Sequence, residues 1–553
     1  MNFRPQESIL SAVTVALVLA AHGWAAAAAS PFTIRIEPLG TYASGIFNQS
    51  GAEIVAHDKK TQRLFTVNAL SGKVDVLDID TPLSPQLLFS IDVSPWGSAA
   101  NSVATHNGVV AVAVENAVRT DNGHAVFFDA DGEFIAVVEV GALPDMLTFT
   151  PNGRHVLVAN EGEPSGDYLT DPEGSVSIID LPGNIRKLNQ SHVRTATFAK
   201  FNNAVLDPAI RIFGPGATVA QDLEPEYITV SHNSRTAWVA LQEANAIAVL
   251  DISPGEFTAL HALGFKDHLL PDQGLDVSDQ DGMIAVRNWP VLGMYHPDGM
   301  ASYSYQGATY LVTANEGDSR DYAGFSEESR FRALSGNIPP CADSPRLQAF
   351  FADNPMGITT LAQLRDNVNG MGRLTVTTAT GLRADGSCYE DIYVFGARSF
   401  SIWRADDLTQ VYDSGEDFER ITADMFPDNF NSDHAENNFD NRSDNKGPEP
   451  EDVKVAKLWG RTYAFIGLER IGGIMIYDIS NPHAPFFVQY LNNRDFSGQP
   501  ATPAAGDLGA EGLLIIEAGR SPIPGVPLLV VANEVSGTTT LFRIDREPLG
   551  DNP

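Results

Sequence analysis

The chain has 553 residues, with 70 Asp and Glu against 36 Lys and Arg, for a formal net charge of -34 at pH 7. Such a charge repels nucleic acid and anionic lipid and suits cations; it also keeps a protein soluble in a salty or extracellular medium. Length alone would allow several domains.

The N-terminal stretch reads as a secretory signal. Arg4 supplies the positive charge, ILSAVTVALVLAA from Ile9 the apolar run, and AAAAAS the small residues of a cleavage site near Ala29. The apolar run is short for a membrane span. Residues 1–29 are therefore expected to be removed, leaving 30–553 as a secreted, periplasmic or extracellular protein with no membrane span. The oligomeric state cannot be read from the sequence.

From there a phrase repeats: an apolar strand ending in Asn-Glu or a variant, often followed by a second strand. It reads LFTVNALSGKVDVLDI from Leu64, VLVANEGEPSGDYLTDPEGSVSIIDL from Val156, WVALQEANAIAVLDI from Trp238, YLVTANEGDSRDY from Tyr310, YAFIGLERIGGIMIYDI from Tyr463 and LLVVANEVSGTTTLFRID from Leu528. A further copy begins at Val110. A repeat of one β-unit along a whole chain specifies a closed array, because a lone four-stranded sheet cannot bury both faces. A shorter strand precedes each Asn-Glu strand and another β-rich run follows, so each unit has four strands. The expected fold is an all-β, seven-bladed β-propeller in one domain. FTIRIEPLG from Phe32 is placed to complete the last unit and close the ring.

One stretch breaks the pattern. From about 317 to 390 lies a partly helical insertion (SPRLQAFFADNP, TTLAQLRDNV), after which DIYVFGARSFSIWRADD from Asp391 resumes as a strand pair. That pair either completes the fifth blade or makes an eighth. The insertion holds Cys341 and Cys388, the only cysteines, expected in an exported chain to form one disulfide. Insertions of this length act as lids or binding elements, or simply pad a blade.

Repetition puts equivalent residues in a ring. The first strands open on Glu53, Asn101, Asp145, Glu226, Asp298, Glu451 and Glu511. Carboxylates gathered at one mouth must be hydrated, protonated or neutralised. Hard oxygen ligands select Ca²⁺, Mg²⁺ or Mn²⁺; the competing reading is that each carboxylate caps backbone N–H groups of its own blade. Of the Asn-Glu strand ends, Glu161 and Glu316-Gly-Asp318 sit on glycine-bent loops suited to a metal, while the others are expected to be structural. The expected metal ligands are thus Glu53, Asp145, Glu161, Glu226, Asp298, Glu316, Asp318, Glu451 and Glu511, with Ca²⁺ as the first choice of cofactor. Arg398, Arg442, Lys446 and Arg470 return from strand ends and an Asp/Asn-rich loop, and are expected to grip a phosphate unless they merely neutralise neighbouring acids. DQGLDVSDQDG from Asp272 looks like a solvated turn, and His296 and His434 like polar loop residues. No Gly-x-Ser-x-Gly elbow, His-Glu-x-x-His or Walker phosphate loop is present.

YLVTANEGDSRDY, GARSFSIW, RSDNKGPEPE and YAFIGLERIGGIMIYDI resemble the hallmark blocks of the choice-of-anchor I family, over about residues 36–545. That resemblance implies an exported β-propeller, of a family whose members include mesenchyme-specific cell surface glycoproteins and bacterial proteins labelled alkaline phosphatase. The resulting expectation is an exported, metal-dependent phosphomonoesterase acting on a small phosphoester. The alternatives are a non-enzymatic calcium-binding cell-surface or matrix propeller and a lactonase-like esterase.

Overall fold

A computed structural model describes residues 32–334, 338–353, 356–500 and 502–548. The signal segment expected at 1–29 lies outside them.

Seven four-stranded antiparallel sheets follow one another along the described chain. Their first strands are Val55–Asp58, Ala99–His106, Pro144–Phe149, Pro225–Val230, Met300–Tyr305, Pro450–Leu458 and Ala510–Ile516. Each first strand touches the first strand of the next sheet, and the seventh touches the first. The ring is therefore closed, and the molecule is a β-propeller. In the seventh sheet the N-terminal strand Phe32–Ala43 pairs antiparallel with Thr538–Pro548, tying the two ends of the chain together as expected.

The sheets form because each strand's apolar residues have a neighbouring sheet to bury against on both faces. Leu528–Asn533 is buried along its whole length, and Arg63–Asn68 all but its first residue. The core is accordingly a series of clusters between adjacent sheets: Phe65, Val74 and Val76 with Val103, Val112 and Val126, for example, and Phe465 and Ile476 with Leu513 and Val531. Fourth strands are more exposed, as in Gln86–Asp92.

The pair Phe400–Arg404 and Gln410–Asp413 completes the sheet begun by Met300–Tyr305 and Ala308–Ala314. The insertion therefore enters between the second and third strands of the fifth sheet. It is more than padding: with the preceding segment 265–294 it builds its own core of Leu275, Trp289, Val291, Phe331, Leu347, Leu364 and Val376. Of the strand pair expected from Asp391, only Phe400–Arg404 joins the fifth sheet; Tyr393–Val394 instead pairs into a separate three-stranded sheet with Phe265–Asp267 and Leu292–Met294. Cys341 and Cys388 are disulfide-bonded, at a Cα–Cα distance of 5.0 Å.

Candidate cation site in the axial channel

The first strands carry a recurring irregularity. In five sheets the pairing between first and second strand slips just where the opening residue lies: between Ala100 and Ser102, Pro144 and Leu147, Pro225 and Ile228, Pro450 and Val453, and Ala510 and Gly512. A bulge frees one residue from the ladder and re-aims its side chain. The freed positions include Asn101, Asp145, Glu226, Glu451 and Glu511. Glu53 and Asp298 stand just ahead of their strands. Two glycines let these starts crowd the axis. A Cβ on Gly512 would lie 2.4 Å from the Glu53 carbonyl oxygen, and one on Gly299 would lie 2.5 Å from the Asp452 Cα.

All seven opening residues line one cavity of about 300 Å³, together with Glu115, Arg119, Asp452 and Tyr227. Burial, reinforced by neighbouring carboxylates, pushes the Glu53 and Asp298 carboxyls up to about 8 and that of Asp145 to about 7. Glu226, Glu451 and Glu511 are raised well above the ordinary value for the same two reasons. Glu451 is 9% exposed; its carboxyl meets that of Asp298, and its Oε2 accepts from no N–H or O–H donor. The reading that each acid caps backbone within its own blade therefore fails for Glu451. The Asp452 side chain points elsewhere in role: it pairs with Lys454 and accepts from the Leu513 N–H at 2.9 Å.

A second tier comes from the second-strand ends. Glu161, near Asp145 and Glu243, is raised by burial and by Glu163 and Asp145. Glu243 and Glu534 rise to about 7, again chiefly through burial. Here cations enter. Arg119 pairs with Glu163 at 2.8 Å, and the buried Arg320 holds Asp222 and Glu224. Lys446 Nζ lies 2.6 Å from Glu316, 3.1 Å from Glu449 and 3.4 Å from Asp318. Glu316 also accepts from Gln242 Nε2 at 2.7 Å, and burial raises its carboxyl to about 7 against the pull of Lys446, while Asp318 sits at the solvent-exposed rim. Of the nine expected metal ligands, the structure gathers six around the cavity, sets Glu161 beside them, and gives Glu316 and Asp318 to Lys446.

The four expected phosphate-gripping cations divide. Arg442, Lys446 and Arg470 converge on the fully buried Glu449, which all three hold well below the usual carboxylate range against its burial. Arg470 also reaches Glu469 at 3.0 Å. Arg398 does not join them. It is buried, pairs with Glu419, and donates to the carbonyls of Asp276, Ser443 and Asn445, bracing the loop that carries Arg442 and Lys446.

Glu449 was not foreseen, because its role exists only once three cations from two segments meet it. His434 is likewise more than a loop residue: with Glu469 and Glu534 it offers ligand atoms all within 4.8 Å of one another, as do Glu316, Glu449 and Glu469. His296 is fully buried and neutral, its ring between the Asp318 carbonyl at 2.8 Å and Arg211 at 3.1 Å.

The choice-of-anchor I domain family matches residues 53–482. Among curated relatives, Gigasin-3a of Magallana gigas is 33% identical over 186 residues, covering 32% of this chain and 64% of that protein. The mesenchyme-specific cell surface glycoprotein of Strongylocentrotus purpuratus is 27% identical over 334 residues, covering 55% of this chain and 39% of that protein. The chain thus spans less than two thirds of each relative's length. Similar solved structures include hydrazine synthase of Kuenenia stuttgartiensis, at 11% identity with a TM-score of 0.45, covering 91% of this chain and 99% of that one. Another is the β-propeller domain of Myceliophteria thermophila Cps50 (Swd1), at 10% identity with a TM-score of 0.41, covering 92% and 99%.

Proposed function

The chain belongs to the choice-of-anchor I family, and from that premise we propose that it is an exported propeller whose axial channel binds a hard divalent cation, Ca²⁺ first. One observation carries this reading: six carboxylates from six different sheets line a single cavity of about 300 Å³, and one of their oxygens, Glu451 Oε2, is buried and accepts from no N–H or O–H donor. A hard cation accepts many oxygen ligands without demanding strict geometry. Glu53, Asp145, Glu226, Asp298, Glu451 and Glu511 would hold it, with Asn101 as a neutral oxygen donor. The ion would supply the positive charge that no side chain but Arg119 brings to this cavity. Action outside the cell fits the disulfide, the expected signal segment and the printed name of the sea-urchin relative.

The test is calorimetric titration of chelator-stripped protein with CaCl₂. Binding is expected, and Glu451→Gln should weaken it at least tenfold. Equal affinity in wild type and Glu451→Gln would refute the axial site.

A second reading, metal-dependent phosphomonoester hydrolysis, draws on the meeting of Arg442, Lys446 and Arg470 beside the His434, Glu469 and Glu534 group. Guanidinium groups beside a metal centre are an arrangement that phosphoester chemistry uses. Weighing against it, each of these cations already faces a carboxylate. Chelator-sensitive hydrolysis of a generic phosphomonoester, restored by Ca²⁺ and lost in Arg470→Ala, would favour this reading over simple cation binding.

A further inference from the structure

The Asp-rich segment from Asp272 was expected to be a solvated turn. It is not: Asp276 is 1% exposed, and Asp279 pairs with Arg373. Asp276 accepts from the Ser278 and Ala285 N–H groups, and its own N–H donates to Glu419 Oε2 at 2.9 Å. Packed against the same Glu419 is the loop that carries Asn431 and Asp440, which are 0% and 1% exposed. These two residues come from adjoining backbone, since the Asp440 N–H donates to the Phe430 carbonyl and the Arg442 N–H to that of Asn431.

Two oxygens here lack partners. The Asn431 amide nitrogen donates to Glu419 Oε1 at 3.0 Å and to Ser443 Oγ at 2.9 Å, which fixes the amide's orientation and leaves Oδ1 unpaired. Asp440 accepts the Ser443 hydroxyl on Oδ1, while its Oδ2 is buried and unpaired. An unsatisfied buried oxygen is costly and calls for an ion or water. Two such oxygens beside a second buried carboxylate favour an ion. The nearby cation, Arg398, is committed to Glu419 and to backbone carbonyls.

We propose that Asp276, Asn431 and Asp440 form a second hard-cation site, distinct from the axial one, which takes Ca²⁺ and clamps the 272–281 segment to the 430–444 loop. None of the three residues lines the axial cavity. Burial and the charge of Asp276 push the Asp440 carboxyl up to about 9, and burial with Glu419 pushes that of Asp276 to about 7. Water and backbone oxygens would complete the six to eight ligands that calcium takes. The clamped loop carries Arg442, and Lys446 follows it directly, so the ion would position the cluster around Glu449.

Calorimetric titration of the chelator-stripped full chain with CaCl₂ tests this site separately from the axial one. Asp440→Asn should remove one calcium equivalent or weaken it at least tenfold, while the equivalent sensitive to Glu451→Gln remains. Metal-free Asp440→Asn should melt no lower than metal-free wild type, because asparagine keeps an Oδ1 acceptor for the Ser443 hydroxyl and removes a carboxyl that burial penalises. Asn431→Asp should do the reverse, lowering the metal-free melting temperature and tightening calcium. The same calcium equivalents and affinities in all three proteins would overturn the proposal, as would a calcium-grown crystal with a water between Asn431 and Asp440. If Glu451→Gln has no effect and Asp440→Asn does, the axial reading fails and this site stands.

Discussion

Glu449 shows how much a single residue can carry. It is fully buried, and Arg442, Lys446 and Arg470 all pair with it. Breaking a buried ion cluster leaves uncompensated charge and typically costs about 3–5 kcal/mol. Glu449→Gln is expected to lose stability of that order in urea unfolding, and more than any single ring carboxylate would. The pH sign follows from its depressed folded pKa. Its contribution is present above the ordinary 4.5 and is lost as pH falls toward the lower folded value. The Glu449→Gln deficit should therefore shrink as unfolding is measured at progressively lower pH below that point. The sequence displayed this residue only as one acid in Pro448-Glu449-Pro450-Glu451, where its neighbour Glu451 drew notice by falling at a repeated position. Its one acidic counterpart is Glu224, in Glu224-Pro225-Glu226 of the fourth repeat, which is also buried and is held by Arg320; the other repeats place Gly51, Ala99, Leu143, His296 and Gly509 there, so no ring of acids marks the position.

At the scale of elements, the bulged first strands convert a sequence pattern into a site. The opening residues lie at a fixed place in each repeat; in five sheets a slip in pairing turns them toward the axis, Glu53 and Asp298 reach it from just ahead of their strands, and Gly299 and Gly512 permit the close approach of neighbouring starts. Gly512→Ala would place a methyl against the Glu53 backbone, which must shift. Overpacking of this kind costs about 1–3 kcal/mol. The expected outcome is a lower melting temperature together with weaker calcium binding; a change in stability with calcium affinity intact would detach the glycine from the site. The insertion behaves as an element of its own, with a separate core and one disulfide. In the chain-entropy account, a crosslink closing a loop of this size stabilises by roughly 3–4 kcal/mol. Replacing Cys341 and Cys388 with Ser should make the insertion cleave earlier in limited proteolysis while the propeller sheets persist. Its helices were legible as a break in the repeat. Its partnership with 265–294 was not, because that contact joins two segments that are irregular when read separately.

For the whole molecule, closure and channel charge decide behaviour. The strand Phe32–Ala43 seals the seventh sheet, and deleting it would leave an open edge on Thr538–Pro548. Elution of the truncated protein as aggregate in the void volume of a size-exclusion column is the expected result. A separate pocket of about 420 Å³ is lined by His57, His106 and His232 with Lys59, Arg520 and Asp58. In the axial cavity, Glu53 and Asp298 titrate near 8 and Asp145 near 7 in the folded protein, against ordinary values of 4.5 for Glu and 3.8 for Asp. The folded chain therefore holds protons that the unfolded chain has released. With no metal, the stability these groups allow is full below their unfolded pKa values and falls as pH rises to about 8. On the proposed function, calcium would take the place of those protons. The gap in melting temperature between calcium-loaded and chelated protein should widen between roughly pH 5.5 and 8.5, and the calcium-binding enthalpy should depend on the buffer's ionisation heat.

By itself the sequence determined the repeat, the four-strand unit, the insertion's place and the ring of acidic openings, because these depend on local alternation and on recurrence at a fixed interval, both of which are written along the chain. Only the tertiary structure decided which charges neutralise one another. It gave Glu316 to Lys446, took Arg398 out of the cationic group, made Glu449 the common anion, and buried Asp276 with Asn431 and Asp440. Coulomb interaction and desolvation depend on distance in space and on exclusion of water, and neither quantity can be read from separation along the chain.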